Sequence, residues 1–354
     1  MDGGTDPLAT NDAGGDAPSA ADGGADGTIA DGASDASPDA FDANCGDTSA
    51  SALNCGECGH SCLGEACVSG VCGTVEIQTG GGETVVLTDA TYAYWGSGYG
   101  DVYRRSLDGA PIEGLADAGT CTFADATLDG TRLYWTCRSN PIVESTPLAG
   151  SVANVVGTSA YPSGLAVDAT NVYWCDGTRA GGVFQTPKNT VNGGAGTSIA
   201  TEDDPYYGVQ VHVGGGHVYW LAIADLPDTA MKVLRRAPIG GGARETVASQ
   251  IGIRSFAIDG AHVYWSLPTQ TIVRADLAGT NASAFVTNED ALSVVIDGAE
   301  LFWGTSDGHL RRARTSDGKG VVTLAQGFGP IGAIAVGPKW VVFLADGKVL
   351  RVAR

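Results

Sequence analysis

From residue 74 to the C terminus, short apolar segments alternate with polar, glycine-rich turns, and the alternation is periodic. In each period a turn Asp or Gly is followed, five or six residues later, by two adjacent large hydrophobic residues. These pairs are Tyr94-Trp95, Tyr134-Trp135, Tyr173-Trp174, Tyr219-Trp220, Tyr264-Trp265, Phe302-Trp303 and the degenerate Val342-Phe343. Their second positions lie 40, 39, 46, 45, 38 and 40 residues apart. Short segments bounded by turn residues predict β-strands, so each period predicts a small antiparallel sheet.

A period of about 40 residues is the length of one four-stranded propeller blade. In each period, strand A precedes the turn, strand B carries the hydrophobic pair, and strands C and D form the following hairpin. The last copy ends within strand C, whereas residues 74–80 resemble a strand D with no strands A to C before it. Pairing the two completes seven blades and removes two exposed edges. The predicted fold is therefore all-β, a seven-bladed β-propeller over 74–354 closed by an N-terminal strand, with six blades as the alternative.

Residues 1–43 have a different composition, consisting almost entirely of Asp, Gly, Ala, Ser, Thr and Pro. Such a segment cannot bury enough apolar surface to offset the entropy of ordering, so we predict a disordered tether. The whole chain has 40 acidic and 20 basic residues, a formal charge of −20. This negative charge repels phosphate backbones and argues against nucleic acid as a partner. No apolar run reaches the roughly 18–20 residues of a membrane-spanning helix.

Residues 44–73 form a third segment that is dense in cysteine. Its six cysteines are Cys45, Cys55, Cys58, Cys62, Cys67 and Cys72. A segment this small needs covalent or metal cross-links, so we predict disulfides whose connectivity the sequence leaves open. Zinc bound by Cys55, Cys58 and His60 is the alternative. Within the propeller, the start of strand A lies beside the end of strand B, which predicts a Cys121–Cys137 disulfide and leaves Cys175 unpaired.

At the aromatic pairs, residues 74–354 resemble the YWTD-like and NHL-like propeller families, and more closely the Val-Tyr-Trp repeats of bacterial extracellular propellers. The Thr-Asp that follows Tyr-Trp in the YWTD pattern survives only in part, at Thr136 and Asp176. The cysteine spacing of residues 54–62 is similar to short modules of bacterial secreted proteins, and the acidic tail to the tethers of surface lipoproteins. These resemblances imply a protein that is secreted or lipid-tethered at the outer surface, with its export signal and anchor outside this sequence.

We expect function where the repeat is irregular, because ligands usually meet a propeller at its loops or its channel mouth. The D–A and B–C connections share one face. Its aromatic candidates are Tyr99, Tyr161, Tyr206, Tyr207 and Phe328, and its polar candidates are Asp203, Asp204, Arg254, Glu289 and Asp290. Aromatic rings beside charged groups can bind a sugar or a peptide. The sequence thus predicts a binding propeller that presents this face to a protein or carbohydrate at the cell surface.

An enzyme is the alternative from a different class. His212 stands in strand A of the fourth blade, where the other blades carry apolar residues or Thr. With Asp125 or Gln210 it could supply a base or a metal ligand at the channel mouth, as a lyase or hydrolase would need. The binding hypothesis calls for no cofactor, whereas calcium or another divalent metal is the expectation of the alternative.

Overall fold

In the computed structural model, residues 47–80, 82–203, 205–224 and 231–354 are described. The regular structure of this part of the chain is entirely β, with seven four-stranded sheets and one two-stranded sheet. The prediction of seven blades is confirmed, and the six-bladed alternative is wrong. No helix in the described residues is long and apolar enough to cross a membrane.

The strands follow the predicted order A to D in every blade. The two-stranded sheet contains β1 (Cys67–Val68) and β2 (Val71–Cys72). Blade 1 contains β4 (Val85–Thr88), β5 (Tyr92–Gly96), β6 (Asp101–Ser106) and β7 (Glu113–Asp117); blade 2 contains β8 (Phe123–Leu128), β9 (Arg132–Cys137), β10 (Ile142–Pro147) and β11 (Asn154–Thr158). Blade 3 contains β12 (Pro162–Val167), β13 (Asn171–Asp176), β14 (Gly182–Pro187) and β15 (Thr197–Thr201); blade 4 contains β16 (Tyr206–Gly214), β17 (His217–Ala224), β18 (Met231–Pro238) and β19 (Glu245–Ile251).

The remaining three blades have the same order. Blade 5 contains β20 (Phe256–Ile258), β21 (His262–Leu267), β22 (Thr271–Asp276) and β23 (Ser283–Thr287); blade 6 contains β24 (Ala291–Asp297), β25 (Glu300–Thr305), β26 (Leu310–Arg314) and β27 (Val322–Ala325). Blade 7 contains β28 (Ala333–Val336), β29 (Trp340–Ala345) and β30 (Lys348–Ala353), with β3 (Val75–Thr79) as its strand D.

The ring closes through its N-terminal strand, as predicted. Strand β3 pairs antiparallel with β30, with Val75 opposite Arg351 and Thr79 opposite Lys348. Each inner strand A contacts the inner strand of the next blade, and β28 contacts β4. The closure joins the two ends of the propeller sequence, so no blade is left with three strands.

The aromatic pairs of the strands B join neighbouring blades. Successive side chains of a strand point to opposite faces of its sheet, so the two members of a pair enter two different cores. Tyr173 of blade 3 packs in one buried cluster with Trp220 of blade 4, and Tyr219 of blade 4 packs with Trp265 of blade 5. The hydrophobic core is thus a series of layers between blades, and this explains why the pair recurs once per blade.

The turn between strands A and B is fixed by its Asp. In blade 3, Asp168 Oδ1 accepts the backbone N–H groups of Thr170 and Asn171, and Oδ2 accepts the hydroxyl of Tyr173 at 2.6 Å. Burial and the neighbouring Asp168 carboxylate raise the pKa of Tyr173 to about 12. Turns that begin at Asp89, Asp129 and Asp259 repeat the arrangement. The periodic Asp is therefore structural.

The described part of the cysteine module belongs to one compact unit with the propeller. Disulfides join Cys55 to Cys67 and Cys62 to Cys72, and Cys58 is also disulfide-bonded. The zinc alternative is therefore not supported, because its thiolate ligands are oxidised. Arg312 of blade 6 bridges Glu57 of the module and Glu300 of its own blade. The predicted tether, residues 1–43, and Cys45 lie outside the described residues.

Candidate functional site

The D–A and B–C connections lie on one face of the ring because consecutive strands are antiparallel; we call it the loop face. Over blades 1 to 4 its loops are joined by backbone hydrogen bonds. Ala118 N–H donates to Gly100 O at 3.1 Å, Ser159 N–H to Pro141 O at 3.2 Å, and Ala180 N–H to Tyr206 O at 3.0 Å. These loops carry Tyr99, Arg138, Tyr161 and Tyr206, which together we call the tyrosine arc.

Close backbone approach fixes the first part of the arc. Gly100 has φ +97°, and a Cβ at this position would lie 1.9 Å from Gly119 O. Only glycine fits such a contact in that conformation. One step further along, Cys121 is disulfide-bonded to Cys137, so the loops before and after blade 2's first hairpin are held together. The arc is therefore a braced surface and not a set of independent loops.

The rings of the arc differ in how much surface they offer. Tyr99 is 82% exposed and Tyr161 is 42% exposed. Tyr161 lies against the backbone of Gly177, where a Cβ would come within 2.6 Å of the ring. Tyr206 is half-buried and packs against the core between blades 3 and 4, and Tyr207 is also half-buried. Of these rings, Tyr99 offers the most free surface to a ligand, and Tyr161 offers part of its ring, because the Arg138 guanidinium lies over it.

The charged candidates are distributed unevenly. Asp203 is exposed and contacts Arg244, whereas Asp204 lies outside the described residues. Arg254 Nη1 lies 2.6 Å from Asp290 Oδ1, and Asp290 also accepts the hydroxyl of Ser306. The Ser306 hydrogen bond and the Arg254 charge lower the pKa of Asp290. These two side chains satisfy each other on blades 5 and 6, away from the arc.

Two further candidates belong to the packing of the ring. Glu289 is buried, and its Oε2 accepts the indole N–H of Trp303 at 3.0 Å and contacts Arg311. Phe328 packs edge-on against Phe343, with ring centroids 5.5 Å apart. Neither presents a free surface comparable with Tyr99, although both were grouped with it from the sequence.

The Glu289–Trp303 contact is one case of a repeated device that the sequence analysis missed. Glu202 accepts the indole N–H of Trp220 at 2.6 Å, and Gln250 accepts that of Trp265 at 2.6 Å. In these three cases the acceptor lies 14 to 18 residues before its Trp, at or just beyond the end of the preceding strand D. That spacing was a usable signal, because a buried indole N–H needs an acceptor.

The enzyme candidates on the inner strands connect neighbouring blades. Asp125 Oδ2 accepts the Leu165 N–H of blade 3 at 2.8 Å. Gln210 makes a two-fold bridge to Phe256 of blade 5, donating from Nε2 to the carbonyl at 3.1 Å and accepting the backbone N–H at 3.2 Å. Both side chains thus extend backbone hydrogen bonding from one blade to the next.

His212 contacts Gln210 but not the rest of a catalytic set. Its Nε2 lies 3.1 Å from Gln210 Nε2, and its ring meets Phe256 edge-on at 4.8 Å. Burial lowers the pKa of His212 to about 4, so the ring is neutral at pH 7 and a weak base. Asp125 lies on blade 2, where burial raises its pKa to about 6.

Within the described residues, metal-ligating groups close enough to share one ion occur in the cysteine module. The cluster found there consists of Cys55, Cys62 and Cys72, whose sulfurs are in disulfides. Cys175 is buried and forms no disulfide. Desolvation, and to a smaller extent the charge of nearby carboxylates, raises the pKa of its thiol well above the ordinary value. A thiol held protonated in this way is a poor nucleophile.

An open groove of about 840 Å³ lies on the opposite face, between blades 2 and 3. It is lined by Asp129, Asp168 and Lys188, with Lys188 Nζ 3.0 Å from Asp129 Oδ2. Both Asp residues stabilise the repeated A–B turn. The groove therefore reflects the spacing of two blades, and its described lining brings together no further set of catalytic or binding groups.

No protein-family model and no curated protein matches this chain. Solved structures share its fold at low identity. Virginiamycin B lyase from Staphylococcus aureus, in a catalytically inactive form with quinupristin, is 12% identical with a TM-score of 0.57, covering 80% of this chain and 98% of the lyase. The computationally designed protein Ika8 is 11% identical with a TM-score of 0.54, covering 78% and 98%.

A chain of the mitotic checkpoint complex is 12% identical with a TM-score of 0.60, covering 80% of this chain and 93% of that one. These proteins include an enzyme, a design and a member of a protein assembly. At such identities the likeness establishes the propeller fold, and function has to be argued from the site.

Proposed function

We propose that this protein is a binding module that presents the tyrosine arc to a protein or carbohydrate outside the cell, secreted or lipid-tethered. One observation supports this most directly: Tyr99 and Tyr161 expose flat rings on loops braced by a disulfide and by backbone hydrogen bonds. Rigid, exposed aromatic groups lose little conformational entropy when a ligand binds. Disulfides in both the module and the propeller favour an oxidising compartment.

The lyase or hydrolase alternative has weaker support. Its candidate base, His212, contacts the amide of Gln210 and has a low pKa, and its partner Asp125 is engaged with blade 3. Loss of a measured turnover on His212→Ala would revive this alternative.

The binding proposal is tested with glycan and surface-protein arrays. We expect a ligand retained by the wild type to lose at least tenfold in affinity in Tyr99→Ala and Tyr161→Ala. Val152→Ala is the matched control, since Val152 is an exposed hydrophobic side chain outside the arc. A ligand that binds both tyrosine variants as tightly as the wild type would contradict the proposal.

A further inference from the structure

Arg138 is the charged group at the centre of the tyrosine arc. Its guanidinium carbon lies 5.3 Å from the centroid of the Tyr161 ring. Within the described part of the chain, its buried Nε has no hydrogen-bond acceptor, and no carboxylate is within ion-pair distance. Arg244 and Arg254, by contrast, contact Asp203 and Asp290. The residue as a whole is partly exposed, so the donors that a ligand can reach are the terminal guanidinium nitrogens and not the buried Nε.

The backbone beneath Arg138 is held in place. Its N–H donates to Thr122 O at 3.0 Å, and Thr122 N–H donates to the Ser139 hydroxyl at 2.8 Å. The preceding residue, Cys137, is in the disulfide with Cys121. The guanidinium therefore projects from a fixed base, which is the preorganisation that a recognition group needs.

The carboxylate on which the charge of Arg138 acts, Asp125, already accepts backbone hydrogen bonds. Their donors are the N–H groups of Leu165 and Ala126, each at 2.8 Å. A planar guanidinium can donate two parallel N–H groups to one carboxylate, and this geometry suits a carboxylate from outside the protein.

We propose that Arg138 and Tyr161 form a subsite for an acidic sugar, which packs against the exposed part of the stacked Arg138–Tyr161 pair while its carboxylate accepts hydrogen bonds from the terminal N–H groups of Arg138. This inference rests on the proposed function, since it takes the arc as the binding surface. Tyr99 offers a second ring further along the arc for a neighbouring sugar. The formal charge of −20 disfavours densely charged anions, glutamate-rich peptides included, so the proposed ligand is an oligosaccharide with an isolated uronic acid.

The probe is a xylo-oligosaccharide carrying one glucuronic acid, compared with its carboxyl-reduced form by isothermal titration calorimetry. We expect the wild type to bind the acid at least tenfold more tightly than the reduced sugar. Arg138→Gln should remove that difference, and Arg138→Lys should restore part of it. Arg314→Gln is the matched control, because Arg314 pairs with Asp317 in the C–D hairpin of blade 6. Near-UV circular dichroism checks that each variant is folded.

Several results would overturn the inference. Equal binding of the two sugars by the wild type, with both lost in Tyr161→Ala, would exclude the carboxylate subsite but leave the proposed function standing. Tighter, Arg138-dependent binding of pentaglutamate would replace the sugar by an acidic peptide. If neither sugar binds, the inference fails; if array ligands also ignore the arc, the proposed function fails with it.

Discussion

The two halves of the loop face carry similar kinds of residue, but they differ in whether these side chains already have partners within the protein. Over blades 1 to 4, Tyr99 and Tyr161 are exposed and Arg138 has no ion-pair partner in the described residues. Over blades 5 to 7, Arg254 pairs with Asp290, and Glu289 lies buried against Trp303. The difference shows that a charged or aromatic loop residue is available to a ligand only where the protein has not already satisfied it.

Removing the Cys121–Cys137 disulfide should have the largest effect on this comparison, because the bond braces the arc. The bond spans 16 residues of sequence, and a loop of that size corresponds to about 3 kcal/mol of unfolding free energy. We expect the Cys121→Ser, Cys137→Ser double variant to lose that amount in urea denaturation and also to bind arc ligands more weakly. Unchanged binding in the folded double variant would show that the arc needs no brace.

Glu289 tests the other half of the face. In Glu289→Ala, the Trp303 indole and Arg311 lose their acceptor, so we expect a loss of about 2–3 kcal/mol in unfolding free energy. Glu113→Ala is the control, since its half-exposed ion pair with Arg104 should contribute less than about 1 kcal/mol. If Glu289→Ala left stability unchanged and weakened ligand binding, Glu289 would belong to the binding surface.

The channel residues give a pH test. His212 has a pKa of about 4 against an ordinary 6.5, so the unfolded chain binds its proton first as the pH falls. Its contribution to stability is complete above pH 6.5 and is lost as the pH falls towards 4. Because His212 is partly exposed, the expected size is reduced to about 2 kcal/mol. Urea titrations between pH 4 and 7 should therefore show the wild type gaining stability relative to His212→Gln as the pH rises.

Asp125 supplies the opposite sign as an internal control. Its pKa is about 6 against an ordinary 3.8, so its contribution is complete below pH 3.8 and is lost as the pH rises through 6. The stability of the wild type relative to Asp125→Asn should thus fall as the pH rises. Parallel curves for His212→Gln and the wild type would show that His212 is open to solvent.

The smallest effect is expected at Arg254 and Asp290. Both are partly exposed, and such pairs contribute about 0.5–1 kcal/mol. A double-mutant cycle with Arg254→Gln and Asp290→Asn should give a coupling of that size in urea denaturation. Zero coupling would leave both residues available to a ligand, and would make the two halves of the face more alike than the structure indicates.

The fold was accessible from the sequence because its signal is repeated. The aromatic pair and its turn Asp recur in nearly every blade, so one misread copy changes little. The closing strand also followed from counting strands at the two ends of the propeller. The candidate site has no such repetition: Asp203 and Glu289 both follow a strand D, yet one is exposed and the other is buried under a Trp. Arg138 lies in a B–C connection outside the repeated positions, so no periodic signal marks it.

The sequence by itself determined the all-β class, the seven blades, the closing strand and the loops in which irregular residues occur. These features depend on local periodicity and on strand pairing, both of which are written along the chain. Only the tertiary structure decided which of those side chains already have hydrogen-bond partners within the protein. Partners such as Trp303 for Glu289 or Phe256 for Gln210 come from other blades or distant loops. Contacts between blades depend on the position of every strand in the ring, and no local pattern records them.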